Sequence, residues 1–132
     1  MKHQPRKPTA SELEILHVLW SKGPSTVREV LDALNEKKDM GYTGVLKLLQ
    51  IMTAKAMVRR DESQRAHVYE ACRPAEQTKR QLARDMLQRV FEGSASQLMM
   101  HALAGHDASP KEIEELRRIL DSYKEDGDGK PG

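Results

Sequence analysis

Cysteine is nearly missing from this chain. Cys72 stands alone, so no intrachain disulfide can form, and the fold must rest on packing, as suits a reducing cytoplasm. Aromatic residues make up only 4% against 38% hydrophobic residues in all, so the core is expected to be thin and a partner subunit would help to close it. No apolar run approaches the roughly 18 residues that a membrane helix needs. The basic start, from Met1 to Pro8, is not followed by the apolar stretch of a signal peptide and reads as a flexible arm. Gly-rich phosphate loops are absent, the carboxylates fall mostly on helical surfaces, and Cys72 has no His or Asn partner that spacing can place. An enzyme is therefore not expected. His101 and His106, with Asp107, are close in sequence, but five residues is a poor spacing for one helix face. With His17 and His67 scattered elsewhere, neither a metal site nor a cofactor is expected.

Net charge is low too, at +2, but it is unevenly spread. Residues 1–73 carry 13 Lys+Arg against 9 Asp+Glu, and residues 74–132 carry 9 against 11. A basic front and a mildly acidic back suggest that the front meets a polyanion.

What is present is helical punctuation. Thr9 and Glu12, or Ser11 and Glu14, have capping-box spacing and open a first helix over about 11–21, with Leu13, Leu16 and Trp20 along an apolar stripe and Gly23-Pro24 to stop it. Ser25 or Thr26 caps a second, carrying Val27, Val30, Leu31 and Leu34, which fades into the polar connector 35–38. A third is predicted over about 43–56. Val45, Leu48, Leu49 and Met52 form its apolar stripe; Thr43, Lys47, Gln50 and Ala54 fall on the opposite side, flanked by Leu46 and Ile51. Period-two alternation at 58–61 and 66–71, across the polar turn 62–65, predicts a β-hairpin bearing Arg59, Arg60 and Arg65.

Pro74 then opens a long helix reaching about Glu92, with Leu82, Met86, Leu87, Val90 and Phe91 on one face. Ser94 or Ser96 caps a shorter one with Leu98, Met99, Ala102 and Leu103. Ser109-Pro110-Lys111-Glu112, a capping box with Pro at the first helical position, starts the last, with Ile113, Leu116, Ile119, Leu120 and Tyr123. From Asp126 onward the chain is Gly-rich and charged, and disorder is expected.

Three helices followed by a basic hairpin is the element order of a winged helix-turn-helix. The expected fold is thus mainly α with a small hairpin: a DNA-binding domain over 1–73, a three-helix dimerisation domain over 74–125, and a tail over 126–132. In that fold the third helix enters the major groove. Lys47 can pair with phosphate or guanine, Gln50 can make a bidentate bond to adenine, Thr43 can reach a phosphate or a base edge, and Tyr42 beside it is a further candidate DNA contact. Leu46 and Ile51 can touch thymine methyls. Arg59, Arg60 and Arg65 on the wing can grip neighbouring backbone. The candidate dimer interface is Leu82, Met86, Val90, Leu98, Met99, Leu103, Ile113, Leu116 and Leu120, which would set two reading heads over a palindromic operator. The competing reading is a winged-helix protein-interaction module without specific DNA binding. Steep salt dependence of binding separates the two.

Three stretches, LEILHVLW (13–20), GYTGVLKLL (41–49) and SPKEIEELRRIL (109–120), resemble the penicillinase-repressor family of beta-lactam-resistance and copper-transport repressors. The likeness runs from about Pro8 to Tyr123. It implies a dimeric repressor on a palindromic operator, partnered in several members by a membrane sensor-metalloprotease whose signal ends in cleavage near the fifth helix. That junction aligns with His101-Ala102, where the best-known members carry Asn-Phe. Gly44 stands where Thr or Lys is often found. The copper-responsive branch has clustered C-terminal cysteines, which this chain lacks.

Overall fold

A computed structural model describes residues 7–127. Their order is α1 (Ala10–Lys22), β1 (Ser25–Thr26), α2 (Val27–Leu34), α3 (Tyr42–Ala54), β2 (Val58–Asp61), β3 (Val68–Ala71), α4 (Ala75–Arg89), α5 (Ala95–Ala104) and α6 (Pro110–Gly127). The chain forms two compact units that meet between Arg84 and Asp85, inside α4.

In the first unit, helices α1, α2 and α3 pack with a three-stranded antiparallel sheet of order β1-β3-β2. Ile15, Leu16 and Leu19 from α1, Val27, Val30, Leu31 and Leu34 from α2, and Val45, Leu49 and Met52 from α3 close the core with Met57, Val58 and Tyr69. Tyr69 is the largest of the fully buried side chains. Leu48, expected in the α3 stripe, is only half-buried and packs at the core margin. At 100° per residue it lies off the axis defined by Val45, Leu49 and Met52.

The helix starts are those that capping chemistry prefers. Thr9 and Glu12 make a reciprocal capping box at α1, and Thr26 and Glu29 make another at α2. Thr26 is therefore the cap of α2, and Ser25 is buried beneath it with Oγ donating to the Gly23 carbonyl at 2.9 Å. These two residues also form β1, pairing Ser25 with Tyr69 and Thr26 with Val68. A two-residue strand has no periodicity to detect. Helix α3 stops at Ala54, two residues short of the expected Ala56, because Ala56 takes a left-handed conformation at φ 62°. The Ala56 and Met57 amides then bond back to the Thr53 and Met52 carbonyls and turn the chain into β2. The hairpin loop is longer than expected: pairing ends at Asp61 and Val68, so Ala66 and His67 belong to the loop.

Glu12 does more than cap. Its side chain is 2% exposed, and its second oxygen accepts from Lys55 Nζ at 2.8 Å, joining the start of α1 to the end of α3. Burial alone would raise this carboxyl, but Lys55 and the Thr9 amide outweigh it and hold Glu12 below the usual carboxylate value of 4.5. A carboxyl depressed on folding stabilises the protein above its unfolded value and loses that contribution as the pH falls through its folded value. Glu12→Gln is therefore expected to lower unfolding free energy at neutral pH by about 2 kcal/mol. The gap from wild type closes as the pH drops below 4.5. Urea denaturation at pH 7 and pH 3.5, at one protein concentration, measures both.

The second unit contains the end of α4 with α5 and α6. Ser94 caps α5, accepting from the Gln97 amide. Ser109 accepts from the Glu112 amide at α6, but the Glu112 carboxylate, expected to complete a capping box, is engaged by His106 Nε2 at 2.9 Å. Pro74 precedes α4 and its carbonyl accepts from the Gln77 and Thr78 amides. No residue of α5 is buried. Along α4 to α6, Met86, Val90, Met99, Met100, Ile119, Leu120 and Tyr123 are all exposed in the single chain.

Candidate nucleic-acid interface

Helix α3 is oriented by its own oily side. Val45, Leu49 and Met52 are all 0% exposed, which fixes the rotation of the helix and turns Thr43, Lys47, Gln50 and Ala54 to solvent. These four share one stripe, three or four residues apart. Ile51 and Tyr42 are also exposed, and Leu46 is half-buried at the flank. Lys47 makes no ion pair among the described residues, so its ammonium stands available to an external anion.

Helices α2 and α3 pack through the shared core, and one side chain ties down the connector between them. Asn35, at the end of α2, donates from Nδ2 to the Met40 carbonyl at 3.2 Å and accepts from the Met40 amide at 2.7 Å. This two-way bond folds the connector 35–41 into a fixed turn. Gly41, the N-cap of α3, offers no side chain to the first-turn amides. Gly44 faces open space, with nothing within 4 Å of where a Cβ would stand. Gly44→Ala should therefore stabilise α3 by about 0.8 kcal/mol through helix propensity alone, read as a rise in the chemical-denaturation midpoint.

The hairpin separates its arginines by strand register. Arg59 opposes Glu70 and Arg60 opposes Tyr69, so the two arginines face opposite sides of the sheet. Arg59 Nε donates to Glu70 at 3.1 Å, and that carboxylate holds the guanidinium charge even more firmly. Arg60 lies on the side of buried Val58 and Tyr69; the Tyr69 hydroxyl and the Glu62 carboxylate both favour its charged form. Arg65 is exposed in the loop between β2 and β3. The structure thus brings Thr43, Lys47 and Gln50 onto one stripe but splits Arg59, Arg60 and Arg65 among an outer face, an inner face and a tip.

Two contributors were missed in the sequence. Asn35 reads there as an ordinary polar residue of a fading helix. Arg28, on α2, has its guanidinium 5.5 Å from the centroid of the Tyr42 ring; 14 positions separate them, and no local pattern links the two. His101 and Ala102 are exposed on α5, and the His101 ring lies 5.6 Å from that of Phe91. Among the described residues, no three His, Cys, Asp or Glu side chains gather as metal ligands, and no helix is long and apolar enough to cross a membrane.

A helix-turn-helix packed on a three-stranded sheet whose β2–β3 hairpin projects as a wing defines a winged-helix protein, followed here by a helical region. The family model described as Penicillinase repressor matches residues 8–122, and the chain belongs to that family, whose members are transcriptional regulators and not enzymes. Over 112 residues it is 21% identical to the methicillin resistance regulatory protein MecI of Staphylococcus aureus (strain N315), covering 85% of this chain and 91% of that one. It is 22% identical to a penicillinase repressor of S. aureus over 110 residues, covering 83% and 87%. It is 32% identical to the transcriptional regulator BlaI of Mycobacterium tuberculosis (strain ATCC 25618 / H37Rv) over 111 residues, covering 83% and 79%.

Proposed function

We propose that this protein is a homodimeric, sequence-specific repressor that reads a palindromic operator with the exposed stripe of α3. The observation that carries this reading is the rotation of α3: Val45, Leu49 and Met52 are fully buried in the core, and the polar side chains Thr43, Lys47 and Gln50 face outward. These are the donors and acceptors that base edges and phosphates take up. Leu46 and Ile51 flank them at the right place for thymine methyls. Arg65 at the wing tip reaches neighbouring backbone, with Arg59 and Arg60 in support where they exchange Glu70 and Glu62 for phosphate.

Dimerisation supplies the second reading head. The dimerisation region is 74–125, which counts the whole of α4 with the tail although the compact units divide within that helix, between Arg84 and Asp85. Leu82, Leu98, Leu103, Ile113 and Leu116 are half-buried, and Met86, Val90, Met99 and Leu120 are exposed in one chain. A second copy would remove these surfaces from water at about 25 cal/mol per Å². Release follows by analogy with the family: a membrane sensor-metalloprotease triggers a cut at His101-Ala102. That bond lies inside α5, so the helix must open locally before a protease can bind it. The protein acts in the cytoplasm, where the operator is.

Sedimentation together with anisotropy on duplex DNA tests the reading. A dimer whose affinity falls by about a thousand-fold or more between 50 and 200 mM salt supports it, as expected for roughly six or more phosphate contacts. A protein that binds no duplex at low salt is instead a protein-interaction module.

A further inference from the structure

Arg28 belongs to the first turn of α2 and is exposed there. Its neighbour Glu29 is committed to the Thr26 amide at 2.9 Å. No carboxylate pairs with Arg28 among the described residues; its guanidinium carbon lies over the Tyr42 ring instead, 5.5 Å from the centroid. Tyr42 opens α3 and is itself 46% exposed. The contact therefore brings the first turn of α2 beside the first turn of α3, at the edge of the stripe that holds Thr43 and Lys47.

A cation–π contact with the ring uses none of the guanidinium's N–H donors. Those donors make no hydrogen bond among the described residues, and their fork matches phosphate oxygens. The ring also restricts a side chain that would otherwise sample many rotamers, so less freedom is lost when the fork engages an anion. When α3 lies in a major groove, α2 is the helix that crosses the sugar-phosphate backbone.

We propose that Arg28, held on Tyr42, grips a phosphodiester of the duplex beside the recognition helix and fixes its register in the groove. Tyr42 acts as the positioning residue. This rests on the DNA-binding reading above, and it adds a contact on α2 and a role for the ring. A phosphate contact carries no base information, so its loss weakens selected and unrelated duplexes alike.

The test uses the full-length protein, a duplex that wild type enriches from a random pool, and an unrelated duplex, each titrated by anisotropy across a salt series. Arg28→Ala is expected to weaken both complexes by about ten-fold at low salt and to lower the salt slope by about 0.9 for each phosphate given up, near two for a dimer. Tyr42→Ala reproduces that loss, the double variant is no weaker than either single one, and Tyr42→Phe, which keeps the stack, restores the slope. Arg28→Lys keeps the charge without the fork and falls between wild type and Arg28→Ala. An unchanged slope in Arg28→Ala overturns the proposal and makes the stack a staple between two helices. Fully additive losses in Arg28→Ala and Tyr42→Ala overturn the positioning role. Wild type that binds neither duplex overturns the DNA-binding reading itself.

Discussion

Leu120→Asp is expected to convert the protein to a monomer and to cut operator affinity by two orders of magnitude or more. Leu120 is 62% exposed on α6, near Ile119 at 52% and Tyr123 at 72%. A helix this apolar on an open face belongs against a partner. Burying a Leu side chain contributes about 1.5–3 kcal/mol, and at a symmetric interface each lost contact counts on both sides. An aspartate there would also have to desolvate a charge. The fold of the chain itself should survive, because the residue contributes nothing to the core around Tyr69. The DNA effect is larger than the loss of any one contact. Tethering two reading heads makes the second binding event intramolecular, a gain of about 10²–10⁴. Sedimentation velocity and anisotropy on the same sample give both readouts. A Leu120→Asp protein that remains dimeric and binds normally would remove α6 from the interface.

Lys47→Ala carries the second large effect. Lys47 sits centrally in the exposed stripe and makes no ion pair within the described chain, so its removal leaves the fold unstrained. A lysine on guanine acceptors contributes about 1–3 kcal/mol of discrimination, which corresponds to a fall of roughly five- to 150-fold in operator affinity. Unrelated duplexes should lose much less. If Lys47 instead holds a phosphate, the loss is uniform across sequences and the salt slope drops. Thermal melting should match wild type in either case. Unchanged operator affinity would detach the α3 stripe from the reading of DNA.

The helices were legible because each carries its own signal. Thr9-x-x-Glu12, Thr26 with Glu29, and Ser109-Pro110 each mark a start through bonds made three residues apart. The apolar spacing of Val45, Leu49 and Met52 fixes which side of α3 turns inward. What was not legible depends on partners far along the chain. Strand β1 exists because Ser25 and Thr26 meet Tyr69 and Val68, more than 40 residues on. Glu12 is recognisable as a cap, but its ion pair with Lys55 spans 43 residues. Arg28 resembles any solvated helix arginine until Tyr42 is placed beneath it. The arginines of the hairpin illustrate a different limit. Composition marks Arg59 and Arg60 as equivalent, whereas a register of one residue sends them to opposite faces and gives each its own carboxylate. Glu112 shows that a motif can be half used: its amide follows the capping pattern while its carboxylate goes to His106.

Selection of bound duplexes from a random pool by the full-length wild-type protein, followed by sequencing, tests the central claim most directly. The account predicts enrichment of an inverted repeat with half-site centres about 10 base pairs apart, or a multiple of that, matching two copies of α3 related by a dimer axis. A pool that stays unenriched at low salt, or that yields a site without two-fold symmetry, would contradict it.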